Sequence, residues 1–257
     1  MRIVLFSRVP RWYSFRADRV IQRLAGAGHE ILAVVAERAS TLGSLREWLW
    51  KYGPRVFIEK SARKLLRLAG LKHASQGVPG QRLRAADEQG VTPALDFSVR
   101  FVDSHNSPEC VELVRSLRPD VLVLRGCGIL KQPILAAARL GAINPHYATL
   151  PAYRGVDVTE WAALHGDPVA VSVHFVTEQV DSGAVIVSRQ IPVEPGDTTG
   201  KLRDKSATAA AELLAEALNK LEAGTTPSLA SPGVVGRQYF SMHPRLRRLA
   251  DLRLKGL

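Results

Sequence analysis

Apolar residues recur along this chain with two different periods, and the switches between them outline its elements. "RIVLF" near the start is an apolar run of strand length, and "RADRVIQRLAGAGH" then repeats apolar residues at helical spacing. Gly28 falls where that helix stops, and "EILAVVA" reads as the next buried strand. A β-α-β opening of this kind favours a parallel sheet with helices on both faces. From Thr41 to about Gly90 the pattern changes: "LREWLWKYGPRVFIEKSARKLLRLAGLKH" predicts basic amphipathic helix broken at Gly53-Pro54, followed by a loop, "ASQGVPGQ". Alternation resumes with "SVRFVDSHNSPECVELVRSLRPDVLVLRGCGIL", where Ser107 is the expected N-cap, with Pro108 and Glu109 opening a helix. "DVLVLRG" predicts a buried strand and "KQPILAAARLG" a helix ending before Gly141. "GAIN", "VAVSVHFV" and "AVIVSRQIPV" predict three more strands, and a last amphipathic helix covers Thr199 to Ala223. The fold class is therefore α/β, a mostly parallel twisted sheet with helices on both faces. Residues 1–224 form its domain, 41–90 a helical basic insertion, and 225–257 a basic tail without a domain of its own. Neither an internal repeat nor a linker divides the chain.

Composition narrows the classes. With 46% apolar residues the chain can build a real core, and two cysteines, Cys110 and Cys127, exclude a disulfide framework. No CxxC or Cys/His cluster suggests zinc, so no metal is expected. The apolar patch at the N-terminus is too short for a signal peptide, and no stretch approaches membrane-spanning length, so a cytoplasmic protein is expected. The net charge of +11 attracts anions but does not describe the fold. Much of it lies between Arg46 and Lys72 and between Arg237 and Lys255, and an arginine-rich composition with no nucleic-acid role explains it as well.

Two polar stretches follow apolar strands: "INPH", and the loop "TEQVDSG" after "VSVHFV". Both are expected at the carboxyl edge of the sheet, where ligands bind in open α/β folds. Asn144, His146 and Asp181 could converge there. An amide N–H and an imidazole can hold the oxygen of a tetrahedral intermediate, while a carboxylate orients the histidine and accepts a proton. From these residues alone a structural histidine and a turn-forming aspartate explain the same letters.

"INPHYATLPAYRG", "WAALHGD" and "VSVHFVTEQVDSGAVI", taken together, resemble the folate-dependent formyltransferases. That family includes glycinamide ribonucleotide transformylase, methionyl-tRNA formyltransferase and the sugar N-formyltransferases. Its pattern is Asn-x-His, then Leu-Pro-x-Tyr-Arg-Gly, then an apolar strand bearing His, then Asp-x-Gly. The resemblance covers about Arg118 to Gln190, extends to the β-α-β opening, and is absent from Thr41 to Gly90. It implies a Rossmann-like formyltransferase domain that moves a formyl group from N10-formyltetrahydrofolate, as co-substrate, to a primary amine. Asn144 and His146 would stabilise the oxyanion, and Asp181 would position His146 and help remove the amine proton. The loop Arg125, Gly126, Cys127, Gly128, Ile129 and Leu130 would hold the pteridine from one side. Val176, Thr177, Glu178 and Val180 would close the other, both through backbone groups. Cys127 is expected as a small loop residue rather than a nucleophile.

The chain departs from the family at Tyr147 and Ala148, where relatives carry Pro and then Ser or Gly. Its first loop, "SRVPRWYSFR", has no glycine to grip a phosphate, which disfavours the purine acceptor. Arg8, Arg11 and Arg16 could meet an anionic acceptor, as could Tyr153, Arg154 and Gly155, although Arg154 also reads as a tie between loops. His174 reads as a packed residue, or one that supports the site's side chains from behind, rather than a proton carrier, and Trp48, Trp50 and Trp161 read as packing residues. The expected partner is a small amine, on a sugar nucleotide or a natural product, rather than a nucleic acid. The residues after Ala223 are too few for the C-terminal barrel of methionyl-tRNA formyltransferase. The 41–90 insertion and the tail are the expected surfaces of a homodimer. Two alternatives stand beside this reading: a hydrolase of the same fold that releases formate, and a basic module binding RNA or an anionic membrane in a salt-sensitive way.

Overall fold

The computed structural model describes residues 1–9, 18–38, 97–224 and 236–256. The 41–90 insertion with Trp48 and Trp50, together with Arg11, Arg16 and residues 225–235, lies outside the described residues.

A seven-stranded sheet runs in the order β3-β2-β1-β4-β5-β7-β8. Its strands are β1 (Arg2–Val9), β2 (Glu30–Arg38), β3 (Ser98–Val102), β4 (Val121–Arg125), β5 (Ala142–His146), β7 (Ala170–Phe175) and β8 (Val185–Gln190). The first five in that order pair in parallel, whereas β7 pairs antiparallel with both β5 and β8. A short parallel pair, β6 (Tyr153–Gly155) with β9 (Arg237–Tyr239), forms a second sheet.

Local chemistry sets the helix starts. Helix α1 (Arg19–Gly26) begins where the Asp18 carboxylate accepts the N–H groups of Val20 and Ile21, at 2.9 and 3.4 Å. Ser107 caps α2 (Pro108–Leu117) through the N–H of Cys110, at 3.3 Å, with Pro108 in the first turn. The long helix α5 (Thr199–Glu222) is capped by Thr198.

Alternation along the strands divides the apolar residues between two layers. On one face Ile3, Leu5, Val34, Val123, Ile143, Val171 and Val173 pack with Ile21 and Leu24 of α1 and Leu213, Leu214 and Leu218 of α5. On the other, Val4, Phe6, Val35, Leu122, Leu124 and Ala142 meet Cys110, Val111 and Val114 of α2. Leu130, Ile134 and Leu135 complete this smaller layer.

The structure departs from expectation in two stretches. The helix expected over "KQPILAAARLG" is only α3 (Gln132–Leu135). Beyond it the N–H groups of Arg139 and Leu140 are taken by the carbonyls of Pro119 and Asp120, so the helical ladder cannot continue. The segment after residue 236 is built into the fold as β9 and α6 (Pro244–Lys255), whose Ala250 and Leu254 are buried. In sequence this stretch shows only as a basic tail, but two of its arginines have carboxylate or carbonyl partners. Arg247 pairs with Asp157 and the buried Glu160 of α4 (Val158–His165), and Arg253 donates to the Leu164 carbonyl. Arg203 of α5 joins the same two carboxylates.

Candidate active site

Asn144 and His146 lie two apart on β5, so both side chains leave the same side of the sheet as Ala142, the side of the smaller layer. In the antiparallel pairing, His174 of β7 lies directly opposite Asn144, and Ser172 opposite His146. Four polar side chains therefore share one face, next to Ala142 of the smaller layer, with His146, Ser172 and His174 buried. This is why two apparently buried strands carry polar residues. His174 is a member of this cluster as well as a packed residue. The signal for it in the sequence was only that His174 interrupts the apolar run of "VSVHF"; the antiparallel pairing decides which residue it faces.

Asp181 does not reach the cluster from the sheet's carboxyl edge as expected. Because β7 runs antiparallel, the loop after it starts beside Ile143, with the Val176 N–H donating to the Ala142 carbonyl at 2.8 Å. Gly183 presses against the backbone of Phe175, where a Cβ would meet the Phe175 carbonyl oxygen at 1.8 Å. The loop thus folds back and presents Asp181, at a positive φ of 48°, to both histidines. Its Oδ2 is 3.5 Å from His146 Nδ1 and its Oδ1 is 3.5 Å from His174 Nε2.

The partners of each ring fix its tautomer, because a carbonyl can only accept. His146 Nε2 donates to the Tyr153 carbonyl at 2.7 Å, leaving Nδ1 as the atom that faces Asp181. His174 Nδ1 donates to the Phe175 carbonyl at 2.7 Å, which leaves Nε2 facing Asp181 and the Asn144 amide nitrogen at 3.4 Å. Burial pushes His146 below the ordinary histidine value, and the attraction of Asp181 only partly offsets it. For Asp181, burial alone would raise the carboxyl. The Gly155 N–H, which donates to Oδ2, and the two imidazoles within 3.5 Å, which attract the carboxylate once protonated, outweigh it and hold the group below the usual carboxylate range. At neutral pH the cluster therefore presents a carboxylate and a neutral imidazole, with Nδ1 the ring atom beside the carboxylate that can take up a proton.

The loop "YATLPAYRG" supplies two of these fixed points, the Tyr153 carbonyl and the Gly155 N–H, the latter 2.8 Å from Asp181 Oδ2. Ser172 holds the loop by donating to the Ala148 carbonyl at 2.8 Å, and the Leu150–Pro151 peptide is cis. Gly155 has φ 99°, and a Cβ there would lie 2.1 Å from the Tyr239 carbonyl oxygen across the β6–β9 pair. Gly155→Ala is therefore expected to destabilise the fold by about 3 kcal/mol, from backbone strain and a displaced strand pair. Turnover should also fall roughly tenfold as the N–H moves off Asp181. Thermal denaturation and steady-state rates check both effects, and unchanged values would refute this role for the glycine.

The remaining expected residues divide between loops and ties. In the loop after β4, the Arg125 guanidinium pairs at 2.8 Å with the carboxylate of the buried Asp18, the N-cap of α1. Gly126, Gly128 and Ile129 are exposed and Leu130 is buried in the smaller layer. Burial pushes the Cys127 thiol up to about 12, which leaves no thiolate for attack near neutral pH. On the opposite loop Thr177 bonds Ser182 at 2.8 Å, and Val180 is half-buried. Glu178 accepts the Gln132 N–H at 3.2 Å, tying this loop to the other. Arg8 pairs with Glu37 at 3.6 Å. The Tyr153 ring turns away from the cluster. It stacks on Tyr239 at 4.8 Å, and its hydroxyl bonds His165 and Asp167. Arg154 donates to the Gly236 carbonyl at 2.8 Å and ties the loop to the segment before β9. Trp161 packs beside Tyr239 and donates to the Phe240 carbonyl. No group of three metal-ligating side chains is arranged to hold a metal ion among the described residues. No described helix is long and apolar enough to cross a membrane.

Fold and cluster together define a Rossmann-like group-transfer domain: an open α/β sheet whose last parallel strand ends in Asn-x-His, faced by a carboxylate from the neighbouring loop. The formyl transferase family model matches residues 3–218, and the chain belongs to that family. A methionyl-tRNA formyltransferase from Chlorobium chlorochromatii is 34% identical over 145 residues, covering 54% of this chain and 46% of that relative. The chain thus spans less than half the length of the methionyl-tRNA formyltransferases compared with it. Among solved structures, a sugar N-formyltransferase from Shewanella sp. shares the fold with TM-score 0.58 at 14% identity. That match covers 99% of this chain and 87% of the other. The formyltransferase PseJ from Anoxybacillus kamchatkensis was solved with UDP-4,6-dideoxy-4-formamido-L-AltNAc and tetrahydrofolate. It aligns with TM-score 0.50 at 14% identity, covering 93% of this chain and 85% of its own.

Proposed function

We propose that the chain moves the formyl group of N10-formyltetrahydrofolate to a primary amine on a small acceptor, an amino-sugar nucleotide or a natural-product amine. The observation that carries this is the meeting of Asn144, His146 and Asp181, from distant parts of the chain, within one network of contacts no longer than 3.5 Å. The tetrahydrofolate and the nucleotide-linked formamido sugar bound by PseJ support both the donor and the acceptor class.

The reaction needs an oxyanion donor, a proton acceptor and a fixed approach. The amine nitrogen attacks the formyl carbon, a C–N bond forms, and the carbonyl electron pair moves onto oxygen. The Asn144 amide N–H stabilises that charge, with His174 Nε2 accepting the other N–H and so fixing the amide's orientation. The ammonium proton passes to His146 Nδ1, the ring atom facing Asp181, whose carboxylate stabilises the resulting imidazolium. Only then can Nδ1–H donate to the oxyanion, because Nε2–H is already taken by Tyr153. On collapse the oxyanion pair re-forms the carbonyl, the bond to N10 breaks, N10 takes the proton that His146 Nδ1 had accepted, and tetrahydrofolate leaves with His146 neutral again.

Purified protein incubated with N10-formyltetrahydrofolate and a panel of amines tests the proposal through tetrahydrofolate release and the mass of the products. The panel comprises amino-sugar nucleotides, free amino acids, glycinamide ribonucleotide and methionyl-tRNA. Release that requires a small amine, with a mass gain of one formyl group on it, is the expected result. Amine-independent release of formate, formylation of methionyl-tRNA alone, or no turnover would each overturn it.

A further inference from the structure

Asn106 lies outside every motif used above, in the connection between β3 and α2, yet its side chain grips the loop expected to receive the donor. Its Nδ2 donates to the Ile129 carbonyl at 2.9 Å, and its Oδ1 accepts the Lys131 N–H at 2.8 Å. The two backbone groups dictate the amide's orientation, since one can only accept and the other only donate. The side chain therefore imitates a neighbouring strand, bonding residues two apart and bracketing Leu130, which is buried in the smaller layer. Ile129 is thereby left 64% exposed on a fixed backbone.

The platform behind Asn106 is itself anchored. On one side, His105 is buried, stacks on Phe6 at 4.7 Å and bonds the Val35 carbonyl at 3.1 Å; on the other, Ser107 caps α2. From the opposite wall Glu178 accepts the N–H of Gln132. Asn106 thus ties the loop to the scaffold, while Glu178 ties the two walls to each other. Two hydrogen bonds to the backbone of an otherwise exposed loop remove its freedom before any ligand arrives, which favours binding of the ligand that fits the fixed shape.

We propose that Asn106 is the positioning residue of the donor loop, holding Ile129 to Lys131 in the conformation that receives the folate. This rests on the folate reading above. In Asn106→Ala, hydrogen exchange at the amides of Leu130 to Gln132, measured without ligand, should be at least about tenfold faster. The KM for N10-formyltetrahydrofolate should rise about tenfold, with kcat at saturating donor and the KM for the amine within about twofold of wild type. Asn106→Asp keeps the acceptor for Lys131 but sets an oxygen against the Ile129 carbonyl. It should shift the donor KM in the same direction, and it supplies the answer if the alanine variant does not fold. Unchanged exchange would overturn the clamp. Faster exchange with an unchanged donor KM, or a loss confined to kcat, would overturn its link to the donor. Wild-type turnover with the folate, measured first, judges the underlying reading separately.

Discussion

Asp181→Asn is expected to fold normally, bind the donor with KM changed by no more than about twofold, and lose about a thousandfold in kcat, within the span a general base contributes. The Gly155 N–H donates to Oδ2, so an asparagine must place its amide oxygen there and its NH2 at the Oδ1 position. At that position it faces His174 Nε2, the ring atom left without a proton when Nδ1 serves the Phe175 carbonyl. The substitution is therefore well accommodated, and the thermal midpoint should change by no more than a few degrees. What disappears is the negative charge 3.5 Å from His146 Nδ1. His146 already lies below its ordinary value through burial, with Asp181 as the largest opposing influence. Without the carboxylate it becomes a still weaker proton acceptor, and the ammonium keeps its proton. Single-turnover kinetics with saturating donor isolate this step. A variant that turns over at the wild-type rate would remove Asp181 from the mechanism.

The contrast between "INPH" and the loop before Gly183 indicates which parts of this arrangement were legible in the sequence. Periodicity located the strands, because burial on both faces imposes apolar runs whatever their neighbours are. It also exposed Asn144 and His146, which interrupt such a run. Strand direction leaves no local mark, so the antiparallel β7 was not readable, and with it the placement of His174 opposite Asn144. The path of the Asp181 loop depends on a close approach, Gly183 against the Phe175 backbone, that only the folded chain defines. Charge misled in the opposite way at the C-terminal end. The basic tail reads only as charge without an assigned place, but Asp157 and Glu160 pair with Arg203 and Arg247 and join α4, α5 and α6. The side-chain tie from Asn106 to the donor loop was equally hidden, because it links residues 23 and 25 positions apart through backbone atoms that carry no identity.

Replacing His146 by alanine should cost at least about a hundredfold in kcat/KM and also change the shape of the pH profile. Burial holds His146 below 6.5, so the imidazole remains neutral and able to accept a proton through neutral pH. The wild-type acid limb should accordingly lie below 6.5, where protonation of Nδ1 removes the acceptor. In the variant the remaining activity depends on proton transfer to Asp181 through water, and that limb should vanish. The same residue affects stability with a definite sign. The unfolded chain takes up the proton near 6.5 while the folded chain resists it, so stability falls as pH drops below 6.5 toward the folded value. His146→Ala loses this contribution to the slope. It also leaves the Tyr153 carbonyl without its donor, at a cost of about 1–3 kcal/mol that is independent of pH. Thermal midpoints and rates collected across the same pH series separate the two effects. An acid limb that persists unchanged in the variant would show that another group sets it, and His146 would then lose its role as the first proton acceptor.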